Sequence, residues 1–76
     1  MEINEFLVKV KEVFEDTDVQ LITPKSIFRD LDEWDSLTAL SLIAMTDQEY
    51  SVKLTGDDIN ISNTLQDIFE IIKAKS

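Results

Sequence analysis

The chain of 76 residues has no cysteine and no histidine, a single glycine, and only seven basic side chains. Without cysteine neither a disulfide framework nor a thiolate metal site is possible. Without histidine the commonest general base and metal ligand is gone, and with it any Ser-His triad. A small domain of this composition is a poor candidate for an enzyme with an active site of its own. Sixteen acidic residues against the seven basic ones give a net charge of −9. A nucleic-acid phosphate backbone needs Lys and Arg clustered opposite it, so nucleic-acid binding is disfavoured. The charge favours solubility and suits a domain that visits basic patches on larger proteins. No apolar run is long enough to span a membrane, and there is no signal peptide, repeat or low-complexity segment. The lead residues Met1-Glu2-Ile3-Asn4 read as a natural start. The expectation is one cytoplasmic, free-standing, monomeric domain over residues 1–76. A domain near this size buries about 60% of its unfolded surface and keeps about a few kcal/mol of net stability.

Apolar residues then set out the helices. Ile3, Phe6, Leu7, Val10, Val13 and Phe14 recur at helical spacing, which predicts an amphipathic helix over about residues 3–15, stopped by Asp16-Thr17-Asp18. Residues 17–35 form a long connection of the kind that is either functional or well anchored. Val19, Leu21 and Ile22 are its first expected anchors, and Ile27, Phe28 and Leu31 the later ones. Thr23-Pro24 reads as an N-cap followed by proline, which predicts a short helical turn over 24–29. A second long helix is expected from Ser36 to Tyr50, about 22 Å long at 1.5 Å per residue. Ala39, Leu42, Ile43, Thr46 and Tyr50 form its core face. Val52 and Leu54 anchor an extended loop, Thr55-Gly56 turns the chain, and residues 57–61 supply one short helical turn. Thr64 and Asp67 fit a capping box that opens a last helix over about 65–74. The predicted fold is all-α: a small bundle of three longer helices and one short one.

Leu37, Leu40, Ala44 and Met45 lie wholly or partly outside that core face of the second helix. A helix apolar on more than one side must be deeply buried or must present apolar surface to a partner. Met45 suits either role, as adaptable partner surface or as core. The acids Asp30, Asp32, Glu33 and Asp35 are expected on the solvent side of the loop. They do not make a calcium loop. Counted from Asp30, Trp34 falls at the fifth position, Asp35 where glycine is needed, and Ser41 where the bidentate Glu belongs. No metal site is expected.

Between the acidic loop and the second helix stands Asp35-Ser36-Leu37. Asp35 is a natural N-cap, and Ser36 lies where unpaired N–H groups and the helix macrodipole favour an attached phosphate. The tripeptide alone has roughly a few per cent chance of arising somewhere in so short a chain. Together with the first helix, Phe28-x-x-Leu31, the apolar second helix and Thr64-Leu65, it resembles the acyl carrier protein family over nearly the whole chain. The resemblance implies a 4'-phosphopantetheine arm on Ser36, attached by a separate phosphopantetheinyl transferase from coenzyme A. It implies recognition of Asp35 by that transferase, and apolar contact beside the arm from Leu37 and Ile59. Expected partners are acyl-activating, acyltransferase or synthase enzymes. These would meet Leu37, Leu40, Ala44, Met45 and Asp47 of the second helix, with Ile59 near the short one. The segment Asp32-Glu33-Trp34 is one residue longer than the glycine-containing segment of many members, and Trp34 is expected to pack on the second helix. Thr38, Ser41 and Gln48 stand where fatty-acid-type carriers usually have acids, which points to a dedicated pathway rather than bulk fatty acid synthesis. The alternative is an acidic helical interaction module in which Ser36 is unmodified and only caps its helix.

Overall fold

A computed structural model describes residues 2–76. Four helices follow in order: α1 (Ile3–Val13), α2 (Ser36–Tyr50), the short α3 (Gly56–Asn60) and α4 (Leu65–Lys75). Helix α1 packs on α2 and α4, and α3 packs on α4. The core between them takes Phe6 and Val10 from α1, Leu42 from α2, and Ile68 and Ile72 from α4, each fully buried. The predicted bundle and the bounds of α2 and α4 stand as expected, and Val52 and Leu54 are buried anchors.

Helix α1 ends at Val13, short of the expected residue 15. Phe14 leaves helical geometry at φ −95°, ψ 67°, and its amide still closes the last turn on Val10 O at 2.9 Å. The turn away carries the Phe14 ring into the core, where it stacks on Trp34 with centroids 6.2 Å apart. The edge of Trp34 meets Phe28 at 4.8 Å. The aromatic partners of Trp34 therefore come from the end of α1 and from the loop. Trp34 also borders the same cleft as Ala39, Leu40 and Ile43 of α2, the helix against which the sequence placed it.

The loop before α2 contains two 3₁₀ turns, Val19–Leu21 and Phe28–Asp30, and no helix over 24–29. The reason lies at the start of α4. A helix leaves its first amides without internal partners. Here the Leu65 amide donates to Ser26 O at 3.1 Å and the Gln66 amide to Pro24 O at 2.9 Å. The Pro24 and Ser26 carbonyls are thus committed to the start of α4 rather than to amides further along their own segment. Thr23 caps nothing: its amide donates to Ser26 Oγ at 2.8 Å within a tight turn. The loop anchors are fewer than expected. Ile22 and Phe28 are buried, but Val19, Leu21 and Ile27 are exposed. Ile27 contributes through its backbone, in a lone antiparallel bridge to Thr64.

Helices α3 and α4 both open on reciprocal capping boxes, Thr55 with Asp58 and Thr64 with Asp67. The first was unexpected, since Thr55-Gly56 reads in sequence as a simple turn. The Asn63 and Thr64 amides hold the Asp67 carboxyl below its ordinary pKa. The Lys75 ammonium, and after it the Thr55 amide, does the same for Asp58. Helix α2 ends differently, on Ser51 in the left-handed conformation at φ 56°, the one positive-φ non-glycine residue described.

These depressed carboxylates set an acid limit on stability. A folded pKa below the unfolded one contributes stability that is complete above the ordinary carboxylate range and is lost as pH falls through the folded values. Stability should hold down to about pH 5 and fall below about pH 4. In the double variant Asp58→Asn, Asp67→Asn the acid loss should be shallower, as urea melts at about pH 6 and about pH 3 would measure. An equally steep loss would place the acid-labile groups elsewhere.

Candidate functional site

Helix α2 starts at Ser36, and the capping atom is not the serine's. Asp35 is the N-cap in extended backbone geometry, and its Oδ1 accepts the Thr38 amide at 2.8 Å. That amide holds the Asp35 carboxyl below its ordinary pKa. Ser36 is therefore at the first helical position, exposed, and is not required for the cap. Thr38 ties the helix start to the loop through its hydroxyl, which donates to Glu33 O at 2.8 Å. Glu33 is not a free solvent acid either. Its Oε1 accepts the Asp16 amide at 3.0 Å and the Thr17 hydroxyl at 2.7 Å. Glu33 is thus fastened through its side chain to the chain after α1 and through its carbonyl to the start of α2, just ahead of Ser36.

Beside Ser36 opens a cleft of about 420 Å³ between α2 and α3. Ala39, Leu40 and Ile43 line it from α2, and Gly56, Ile59 and Asn60 from α3. Arg29, Trp34, Asp35 and Ser36 complete the rim. A volume of several hundred Å³, mostly apolar with a few polar groups at one side, is typical of sites for small organic groups. The residues fit a phosphate-linked arm. The exposed hydroxyl stands at the positive end of a 15-residue helix, and an apolar groove begins next to it.

The structure sorts the sequence-predicted residues. Asp35, Ser36, Leu40 and Ile59 meet at this cleft. Ile59 is 6% exposed and so forms wall, while Leu37 at 73% and Leu40 at 62% are open surface. Ala44 is also exposed. Asp47 is on the surface and pairs loosely with Lys53 at 3.7 Å. Met45 separates from the others. It is half-buried against the core, in a second groove with Lys9, Glu12 and Val13 of α1. Of its two roles the structure supports packing between α1 and α2. Arg29 was missed altogether. Its side chain reaches carbonyls some thirty residues ahead, and no local pattern reports such a contact.

A family model described as the phosphopantetheine attachment site matches residues 5–72. The chain belongs to this family, which is defined by covalent attachment of 4'-phosphopantetheine. It is a phosphopantetheine carrier protein; such domains are in general non-catalytic and interact with a phosphopantetheinyl transferase and with biosynthetic enzymes. Comparisons with curated proteins and with solved structures each return no significant match. Among the described residues, no helix is long and apolar enough to cross a membrane.

The contrast between Met45 and Leu40 can be measured. Met45→Ala should lower stability by about 1–2 kcal/mol, because it opens space between α1 and α2. Leu40→Ala, at an open surface, should change it by no more than about 0.5 kcal/mol. Chemical denaturation of the two variants decides this. Equal losses would mean that Leu40 is as well packed as Met45.

Proposed function

We propose that this chain is a discrete, non-catalytic carrier that holds acyl groups as thioesters on a phosphopantetheine arm attached to Ser36, in the service of a dedicated biosynthetic pathway for a lipid, polyketide or related product. The observation that carries the proposal is the division of labour at the start of α2. Asp35 supplies the capping oxygen, so the Ser36 hydroxyl is left outward beside an apolar cleft. A serine that served only as a cap would occupy the position that Asp35 occupies. When attached, the arm supplies a terminal thiol that takes the acyl group. A tether of this kind gives effective concentrations of order mM near each enzyme the carrier visits.

The chain's own residues present and shelter that group. The amino end of α2 favours the negative phosphate. Asp35, held ionised, marks the site for the transferase that draws on coenzyme A and magnesium. Leu37, Leu40 and Ala44 give partner enzymes an exposed apolar stripe, with Asp47 at its margin. Steering by charge is weak along this helix. Thr38 is engaged with the loop, Ser41 and Gln48 lie in the groove against α1, and Glu49 pairs with Lys9 at 3.1 Å. Apolar contact then outweighs charge in holding partners. The dedicated-pathway reading rests on the departure of Thr38, Ser41 and Gln48 from the fatty-acid-type pattern.

Incubation with coenzyme A, magnesium and a phosphopantetheinyl transferase should raise the intact mass of the wild-type protein by one arm. Ser36→Ala should gain nothing, while its circular dichroism stays that of the wild type because Asp35 still caps α2. A mass gain in the variant would move the attachment site. No gain in either protein would favour an unmodified interaction module.

A further inference from the structure

We propose that Arg29 is the positioning residue of the Ser36 cleft: its guanidinium fastens the carboxyl end of α3 to the loop, holds Ile59 as the wall facing α2, and so limits how large an acyl group the cleft admits. Nη1 donates to Ser62 O at 2.6 Å, and Nη2 donates to Ile59 O at 2.6 Å and Asn60 O at 3.2 Å. The last carbonyls of a helix lack internal partners, and a cation is favoured where they converge. The planar fork of arginine can serve several of them at once, which the single point charge of lysine cannot. The guanidinium is itself steadied over the Phe28 ring, 4.8 Å from its centroid, and Phe28 is fully buried.

Helix α3 has five residues, too few to persist without tertiary support. Its amino end is held by the capping box and by the pair between Asp58 and Lys75 of α4. The side-chain hydrogen bonds that tie its carboxyl end to the loop before α2 come from Arg29. Ile59 and Asn60 line the cleft opposite Ala39, Leu40 and Ile43. Releasing Arg29 frees the end of α3 that carries Ile59, and the cleft widens. The size limit rests on the carrier function proposed above, but the fastening does not.

The test compares wild type, Arg29→Ala and Arg29→Lys, each first checked by circular dichroism. In the unmodified proteins, hydrogen exchange at the Ile59, Ile61 and Ser62 amides should quicken by about tenfold or more in Arg29→Ala relative to Ile68 and Ile72 of α4, the scale expected for losing one hydrogen bond to a charged group. Arg29→Lys should recover only part of that protection. The proteins are then loaded with butanoyl and dodecanoyl arms. The dodecanoyl chain should perturb the Ile59 and Ile43 signals more strongly in Arg29→Ala than in wild type, and the butanoyl chain should perturb them equally in both. Exchange that quickens no more in α3 than in α4 overturns the fastening. Faster exchange in α3 with identical acyl perturbations in both proteins overturns the size limit. Failure of the wild-type protein to take any arm contradicts the carrier function instead, and the exchange result still decides what Arg29 does.

Discussion

The hydrogen bond from the Thr38 amide to Asp35 is the contact on which the functional end of this molecule depends. Every helix start must satisfy its leading amides, and a polar side chain beside it is normally drawn into that task. Here an aspartate takes it one residue ahead of the serine. The serine keeps both its exposure and its place at the positive end of the helix dipole. If Ser36 were itself the cap, its oxygen would be turned back onto the helix. The same bond lowers the Asp35 carboxyl below its ordinary pKa and fixes its orientation, so the charge next to Ser36 stands in a defined place on the surface.

That arrangement is braced from behind by contacts far apart in sequence. The Thr38 hydroxyl holds Glu33 O, the Glu33 carboxylate holds the chain just after α1, and Trp34 lies between the rings of Phe14 and Phe28. Trp34 is thus a wedge that joins the end of α1 to the start of α2. The earlier part of the loop serves α4 instead, lending it the carbonyls of Pro24 and Ser26. The long connection is anchored along its length, as expected from its sequence, consistent with the low tolerance of compact domains for unanchored connections of this length. Several of the anchors, however, are hydrogen bonds rather than the expected apolar side chains.

The division between what was legible in the sequence and what was not follows the range of the interactions. Helices α1, α2 and α4 rest on periodic apolar residues, and the caps at Asp35 and Thr64 act within four residues, so a linear pattern reports them. The end of α1 at Val13 was not legible, because it depends on Phe14 finding Trp34 across the core. The absent helix at 24–29 depends on α4, forty residues on. Glu33 looked like a solvent acid for the same reason, and Arg29 carried no local signature at all. Within α2 the weak segregation of apolar residues left Met45 open between two faces, and only the packing of α1 placed it. At the site, residue type and position alone fitted a simple helix cap, and the expectation for Ser36 rested on the resemblance to the carrier family. The cleft beside Ser36 came only with the position of α3.

Localising the arm tests the central claim most directly. Trypsin should release residues 30–53 from the loaded protein as one peptide containing Ser36, Ser41 and Ser51, and tandem mass spectrometry can assign the added mass among them. The account predicts the whole adduct on Ser36, the one of the three that opens α2 and borders the cleft. An adduct on Ser41 or Ser51, or on another peptide, would contradict it.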